Sequence, residues 1–161
     1  MAGVMALCWM CVIFSFSAQK REASSAVSEG FSYRVISTTT HLFHLNLDEE
    51  RLREIANSIE PMVRKAAHMT EYAILSVLLY VWLGLWIQLR WKRGLAACFM
   101  TSLFAASDEL HQLFVPGRAG RVNDVLIDII GAVLGLFIFL GVKRCISFLW
   151  NHRKYRETKL S

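Results

Sequence analysis

The sequence predicts an all-α integral membrane protein, a four-helix bundle of spans with an amphipathic interfacial helix between spans one and two. Three observations predict it. Hydrophobic residues make up 55% of the chain and charged residues 19%, whereas soluble domains sit near ~45–50% and ~25%. The apolar residues are gathered in four long runs. The polar segment between the first two runs acquires a helical period in its second half. At 161 residues the chain makes one domain, 1–161, with too much surface to hide so many apolar side chains from water. Composition therefore excludes a disordered chain and argues against an ordinary soluble enzyme. The net charge of +5 comes from basic residues that flank the apolar runs. That pattern fits membrane orientation and anionic head groups, not nucleic acid.

The runs cover about 1–18, 66–88, 94–113 and 125–142. At ~1.5 Å per helical residue they extend about 27–35 Å, which matches a hydrocarbon core of ~30 Å. The first run has no basic n-region, and Ser15-Phe16-Ser17-Ala18 is only a passable cleavage site, so a retained span is the reading and a cleaved signal peptide the alternative. Segment 19–65 divides in two. Residues 19–40 are rich in Ser and Thr without a period and read as a loop. Beyond them, Leu52, Ile55, Ala56, Ile59, Met62 and Val63 recur at helical spacing after Asn46-x-x-Glu49, which has the form of a capping box. This piece reads as a helix on the membrane surface or as cover for the bundle, with Pro61 as a kink or a new start.

The second run leads into the third through the short basic loop Arg90-Trp91-Lys92-Arg93, and residues 143–161 form a basic tail. Trp82, Trp86, Trp91 and Trp150 fall near run boundaries, as an aromatic belt would. Basic residues divide evenly between the two sides, so charge does not fix the orientation. The dense clusters in the short loop and the tail favour cytoplasmic termini. Cys8, Cys11, Cys98 and Cys145 lie in or at the end of apolar runs, and the Cys8-x-x-Cys11 pair reads as small buried hydrophobes.

Ionisable residues inside spans are costly and mark function by default. Span two opens with Arg64, Lys65, His68, Glu71 and Tyr72. Span three ends with Asp108, Glu109, His111 and Gln112, followed by the turn Val115-Pro116-Gly117-Arg118. Span four opens with Asp124 and Asp128. Successive spans alternate direction, so all these residues fall at one end of the bundle whichever way the termini point. His68/Glu71 and Asp108/His111 are i,i+3, and Asp124/Asp128 are i,i+4, so each helix presents a polar stripe. Lipid accepts none of these stripes, and they must face one another or water.

Three chemistries suit such a cluster. One is acid–base catalysis by carboxylates whose pKa values are driven apart. Another is a metal site built from His and carboxylates on facing helices. The third is anion binding by Arg118 and Lys65. Structural readings stand beside them: an ion pair of Glu71 with Arg64 or Lys65, Asp124 as the N-cap of span four, and Gly131-x-x-x-Gly135 as a helix-contact motif.

At these residues the chain resembles a known family. Residues 64–72, RKAAHMTEY, resemble the R-K-x-x-H-x-x-E-Y signature of the VanZ-like family. Residues 107–118, SDELHQLFVPGR, are similar to its S-D-E-x-H-Q-x-F-x-P-x-R signature. Residues 124–135, DVLIDIIGAVLG, are similar to its third, D-x-x-x-[DN]-x-x-G-x-x-x-G. Residues 14–19, FSFSAQ, resemble the ending of the family's first span, with Ala18 in place of a serine. The resemblance implies a bacterial multi-span membrane protein of the cell envelope, in a family whose name member is associated with resistance to teicoplanin. It implies His68, Glu71, Asp108, Glu109, His111, Gln112, Arg118 and Asp124 as the functional set, and it transfers no defined reaction.

Residues and resemblance together lead to the expectation of a pocket at the outer membrane interface for an amphiphilic anionic or lipid-linked substrate. If the protein is an enzyme, His68 or His111 is the base, Glu71, Asp108 or Glu109 the acid or ligand, and Arg118 the anion holder. Its reaction is then acid–base or metal-assisted hydrolysis or transfer. Lys65, Tyr72, Gln112, Arg118, Asp124 and Asp128 are the expected substrate contacts. The alternative is a non-enzymatic membrane scaffold or binding protein in which the cluster is structural. Membrane lipids are the expected partners and nucleic acid is not. Metal, cofactor and oligomeric state stay open.

Overall fold

The computed structural model describes residues 1–118 and 120–160 in backbone, and side chains through His152 apart from Arg21 and Ala119. Five helices follow in order, with no strand among the described residues: α1 (Ala2–Ser17), α2 (Arg21–Leu42), α3 (Glu49–Leu83), α4 (Arg90–Gln112) and α5 (Val122–Leu160). The all-α class holds, and each of the four apolar runs lies on its own helix. A bundle of four full-length spans is not what length and hydropathy support. Only α3 and the Val122–His152 part of α5 are long and apolar enough to cross a membrane, with a third span if α1 and α2 count as one bent unit. The physical reason is length. At ~1.5 Å per residue, the 16-residue α1 extends about 24 Å, and the uncharged stretch of α4, residues 94–107, about 21 Å.

The largest departure from the sequence reading is α2, a helix of 22 residues where a loop was expected. Ser and Thr disfavour helices because their hydroxyls compete for backbone partners. Here the hydroxyls turn back onto the helix itself: Ser28 to Ser24 O, Ser32 to Ser28 O, Thr39 to Val35 O and Thr40 to Ser37 O, at 2.8–3.2 Å. Of these, Ser28, Ser32 and Thr40 are buried or half-buried toward α3 as small, satisfied side chains, and Thr39 is exposed. α2 stops at Leu42, and His44 takes a left-handed conformation (φ 53°) in the turn that follows.

α3 is one helix where two pieces were expected. Its N-cap is Asp48, whose carboxylate accepts from the Arg51 N–H at 2.8 Å. The Asn46/Glu49 capping box is therefore displaced. Glu49 instead accepts from Tyr33 Oη (2.8 Å) and Arg53 (2.9 Å). The helix runs through Pro61, so amphipathic piece and apolar run are continuous. Leu52 and Ala56 of the amphipathic face are buried on the side that α2 packs against. At the far end, Arg93 donates to Ile87 O at 2.9 and 2.7 Å, tying the α3–α4 connection. The expected basic tail continues α5 as helix, exposed from Gly141 through His152.

α3 is the hub, touching all four other helices. Its contact with α5 depends on Gly131 and Gly135. A Cβ on Gly131 would strike the Met69 backbone, and one on Gly135 would lie 2.6 Å from Ala73 Cβ. The G-x-x-x-G stretch is thus a helix-contact motif, as the spacing suggested. Ser76 Oγ bridges the same pair, donating within 2.8 Å of Ala132 O. Gly3 of α1 lies against Trp82 near the end of α3, and Trp9 Nε1 donates to Glu71 O at 2.9 Å. α1 therefore runs antiparallel to α3. The core of these contacts is Ile13, Tyr72, Leu75, Ala97 and Ala105. Cys8, Cys11 and Cys145 are exposed and Cys98 half-buried, so the reading of buried cysteines fails. On apolar helices, outward positions face lipid as readily as inward ones face the core.

Candidate functional site

The start of α3's apolar half, the end of α4, the Pro-Gly turn and the start of α5 meet at one end of the molecule. Here α2 joins them. Together they line a half-open cavity of about 120 Å³. α3 supplies Arg64, Lys65 and His68, and α4 supplies Glu109 and Gln112. The turn supplies Arg118 and Arg121, α5 supplies Asp124, Ile127 and Asp128, and α2 supplies Ser24. The i,i+4 spacing of Arg64 and His68, and of Asp124 and Asp128, sets two side chains of each helix on the cavity face.

The remaining expected residues lie outside the cavity wall. Tyr72 is fully buried, and Asp108 is 2% exposed. Asp108 Oδ2 accepts from Tyr72 Oη at 3.1 Å and from Gln112 Nε2 at 3.3 Å. Its Oδ1 has no protein partner. Glu71 pairs with His68, Nδ1 to Oε2 at 3.3 Å, rather than with Arg64 or Lys65. Arg64 is turned the other way, to Glu60 (3.3 Å) and Ser25 Oγ (3.0 Å). On a helix, Arg64 reaches back to i−4 while His68 reaches forward to i+3, so the two pairs do not compete. The two histidines separate. His68 lines the cavity, whereas the His111 ring lies tilted by 40° against Phe14 with centroids 4.2 Å apart and its Nδ1 is buried without a partner.

Two residues have backbone duties. Arg118 donates from Nε to Gln19 O (2.9 Å) and from Nη2 to Phe16 O (3.2 Å), capping carbonyls at the end of α1. Burial lowers its pKa from the ordinary guanidinium value, against the pull of Asp108. Glu109 Oε1 accepts from the Arg121 N–H at 2.6 Å, which fastens the turn to α4. Asp124 lies in the first turn of α5 rather than at its cap, because the helix already begins at Val122. A carboxylate there still faces the positive end of the helix dipole.

Sequence reasoning missed Arg121, Ser24 and Ile127 as cavity residues. Arg121 had a signal in the Arg118-x-x-Arg121 spacing after the Pro-Gly turn. Ser24 had none, because its placement depends on α2. Among the described residues, no three His, Cys, Asp or Glu side chains converge as a metal site would require. Chemically, the cavity offers cations at Lys65, Arg118 and Arg121, beside acceptors on Glu109, Asp124 and Asp128. His68 lines the same cavity, with Glu71 Oε2 3.3 Å from its Nδ1. That arrangement can hold an anion and move a proton next to it.

A family model described as VanZ/LLP1 matches residues 3–146, nearly the whole chain. No curated protein and no solved structure matches it.

Proposed function

The chain belongs to the VanZ/LLP1 family, and from that premise we propose that this VanZ-like membrane protein serves the bacterial cell envelope as a multi-pass protein, its interfacial cavity binding the anionic head group of an amphiphilic or lipid-linked substrate. The observation that carries the reading is the convergence of Lys65, Arg118 and Arg121 from α3 and the turn on a cavity that His68 and Asp128 also line. A cavity of about 120 Å³ has room for a phosphate-sized group, and His68–Glu71 supplies a proton-transfer pair beside it. In this reading the termini are cytoplasmic, the cavity faces outward, and any link to teicoplanin resistance acts through the lipid-linked substrate.

A scaffold role is the second reading. It draws support from Arg118, whose Nε and Nη2 are already spent on α1 carbonyls.

Binding separates the two. Purified full-length protein in neutral detergent would be titrated with a polyprenyl phosphate and with the uncharged polyprenol. The proposal expects thermal stabilisation by the phosphate alone, lost in Lys65→Ala and Arg121→Ala at unchanged membrane abundance. Equal responses to phosphate and alcohol would sink it. So would loss of folded protein in every cavity variant, including His68→Ala, which would leave the scaffold reading.

A further inference from the structure

α2 keeps hydroxyls at its contact with α3 and leaves its bulkier apolar side chains exposed. Toward α3 it turns Ser28, Ser32 and Thr40, with Ser32 fully buried and Thr40 7% exposed. Their hydroxyls are satisfied by α2's own carbonyls. On the flank next to that contact it carries Val27, Phe31 and Val35, exposed by 71%, 58% and 41%, and Leu42 near its end is exposed by 73%. Val27, Phe31 and Val35 are spaced i,i+4, so they form one stripe. A surface helix in water places its apolar stripe inward and its hydroxyls outward. Small, hydroxyl-bearing residues at the contact with apolar residues outside is the arrangement of helices packed in lipid.

The stripe's position says what covers it. α2 leaves α1 through a bend of 101°. α1 is apolar and packs against the apolar half of α3, so it follows the membrane normal. A helix turned through roughly a right angle from it lies near the membrane plane. The lipid-facing surface is also continuous across this end. Phe16 closes α1 at 51% exposure, and Leu113, Phe114 and Val122 around the Pro-Gly turn are exposed by 55%, 81% and 78%.

We propose that α2 is an interfacial helix whose Val27–Phe31–Val35 stripe is seated in the lipid–headgroup boundary of the bilayer. Its inner face roofs the polar cavity through Ser24 and holds Arg64 through Ser25. The inference stands whatever the cavity binds.

The test uses the full chain with Cys8, Cys11, Cys98 and Cys145 replaced by serine. Single cysteines at Val27, Phe31 or Val35 would carry an environment-sensitive fluorophore, with Glu29→Cys as the polar reference. The protein would be reconstituted in phosphatidylcholine–phosphatidylglycerol vesicles. The expected result at the three stripe positions is blue-shifted emission and quenching by lipids bearing nitroxides near the headgroup. Quenching by nitroxides deep in the chain should be weaker, since an interfacial helix sinks only about 5–10 Å. Aqueous iodide should quench Glu29→Cys and spare the stripe.

Iodide quenching of the stripe equal to that of Glu29→Cys would place α2 in water and overturn the proposal. Protection from both iodide and nitroxide lipids would mean protein covers the stripe, which also overturns it. If the serine background does not fold, hydroxyl-radical footprinting of the unaltered chain in nanodiscs decides the same question. Phe31 is expected to be protected there, and oxidation of Phe31 as fast as that of His44, which is exposed, overturns the proposal.

Discussion

Replacing Gly131 by alanine tests the contact that brings α3 and α5 together. The added methyl would strike the Met69 carbonyl oxygen and lie 2.7 Å from Met69 Cα and 2.9 Å from its carbonyl carbon. These are backbone atoms of a helix, so no side-chain rotation relieves the overlap, and the helices must separate. Overpacking of a fitted core costs roughly 1–3 kcal/mol, and a backbone partner sets the upper end. Gly141→Ala on the same helix is the internal reference, with nothing within 4 Å of its added methyl. It should be neutral or stabilising by up to ~1 kcal/mol, the usual gain for alanine over glycine within a helix. Gly131→Ala carries the same gain, so the expected gap between the two variants is the overpacking cost alone, about 1–3 kcal/mol.

Unfolding in mixed micelles of neutral detergent and dodecyl sulfate, followed by circular dichroism, would measure that gap. Gly135→Ala adds a check on mechanism, because its nearest obstacle is a side chain, Ala73 Cβ at 2.6 Å. Ala73→Gly should rescue it in part, since Ala73 Cα remains at 2.7 Å, and no single side-chain change should rescue Gly131→Ala. The packing argument is refuted if Gly131→Ala unfolds within ~0.5 kcal/mol of Gly141→Ala, the limit expected for a substitution that touches nothing. The consequence reaches the site as well. Met69 adjoins His68 and Gly131 is one turn from Asp128, so separating the helices moves two walls of the cavity apart.

Two further outcomes follow from the side chains around the cavity. Tyr72→Phe removes one of the two donors to the buried Asp108. It should cost about 1 kcal/mol in the same assay, the usual net worth of a hydrogen bond; an unchanged midpoint would show that the bond is not made. Arg118→Lys keeps the charge but cannot span two carbonyls in the planar geometry that reaches Gln19 O and Phe16 O. Hydrogen exchange should quicken across the end of α1, and exchange like that of the wild type would remove the capping role.

The sequence by itself determined the helical class and the collection of its polar residues at one end. Both follow from local or topological rules. Apolar runs set where helices form, helical period puts His68 beside Glu71 and Asp124 beside Asp128, and alternation of direction places the three stripes together. Gly131 and Gly135 were legible for the same reason, because spacing alone puts them on one face. Tertiary structure decided the rest. α2 was hidden because a serine-rich segment has no apolar period facing inward, and its helix depends on hydroxyls turning back while α3 covers them. The pairing of Tyr72 with Asp108, the turning of Arg64 away from Glu71, and the reach of Arg118 to the end of α1 join residues far apart in the chain or choose among neighbours. Such choices are set by where five helices come to rest, and no spacing within one helix encodes them.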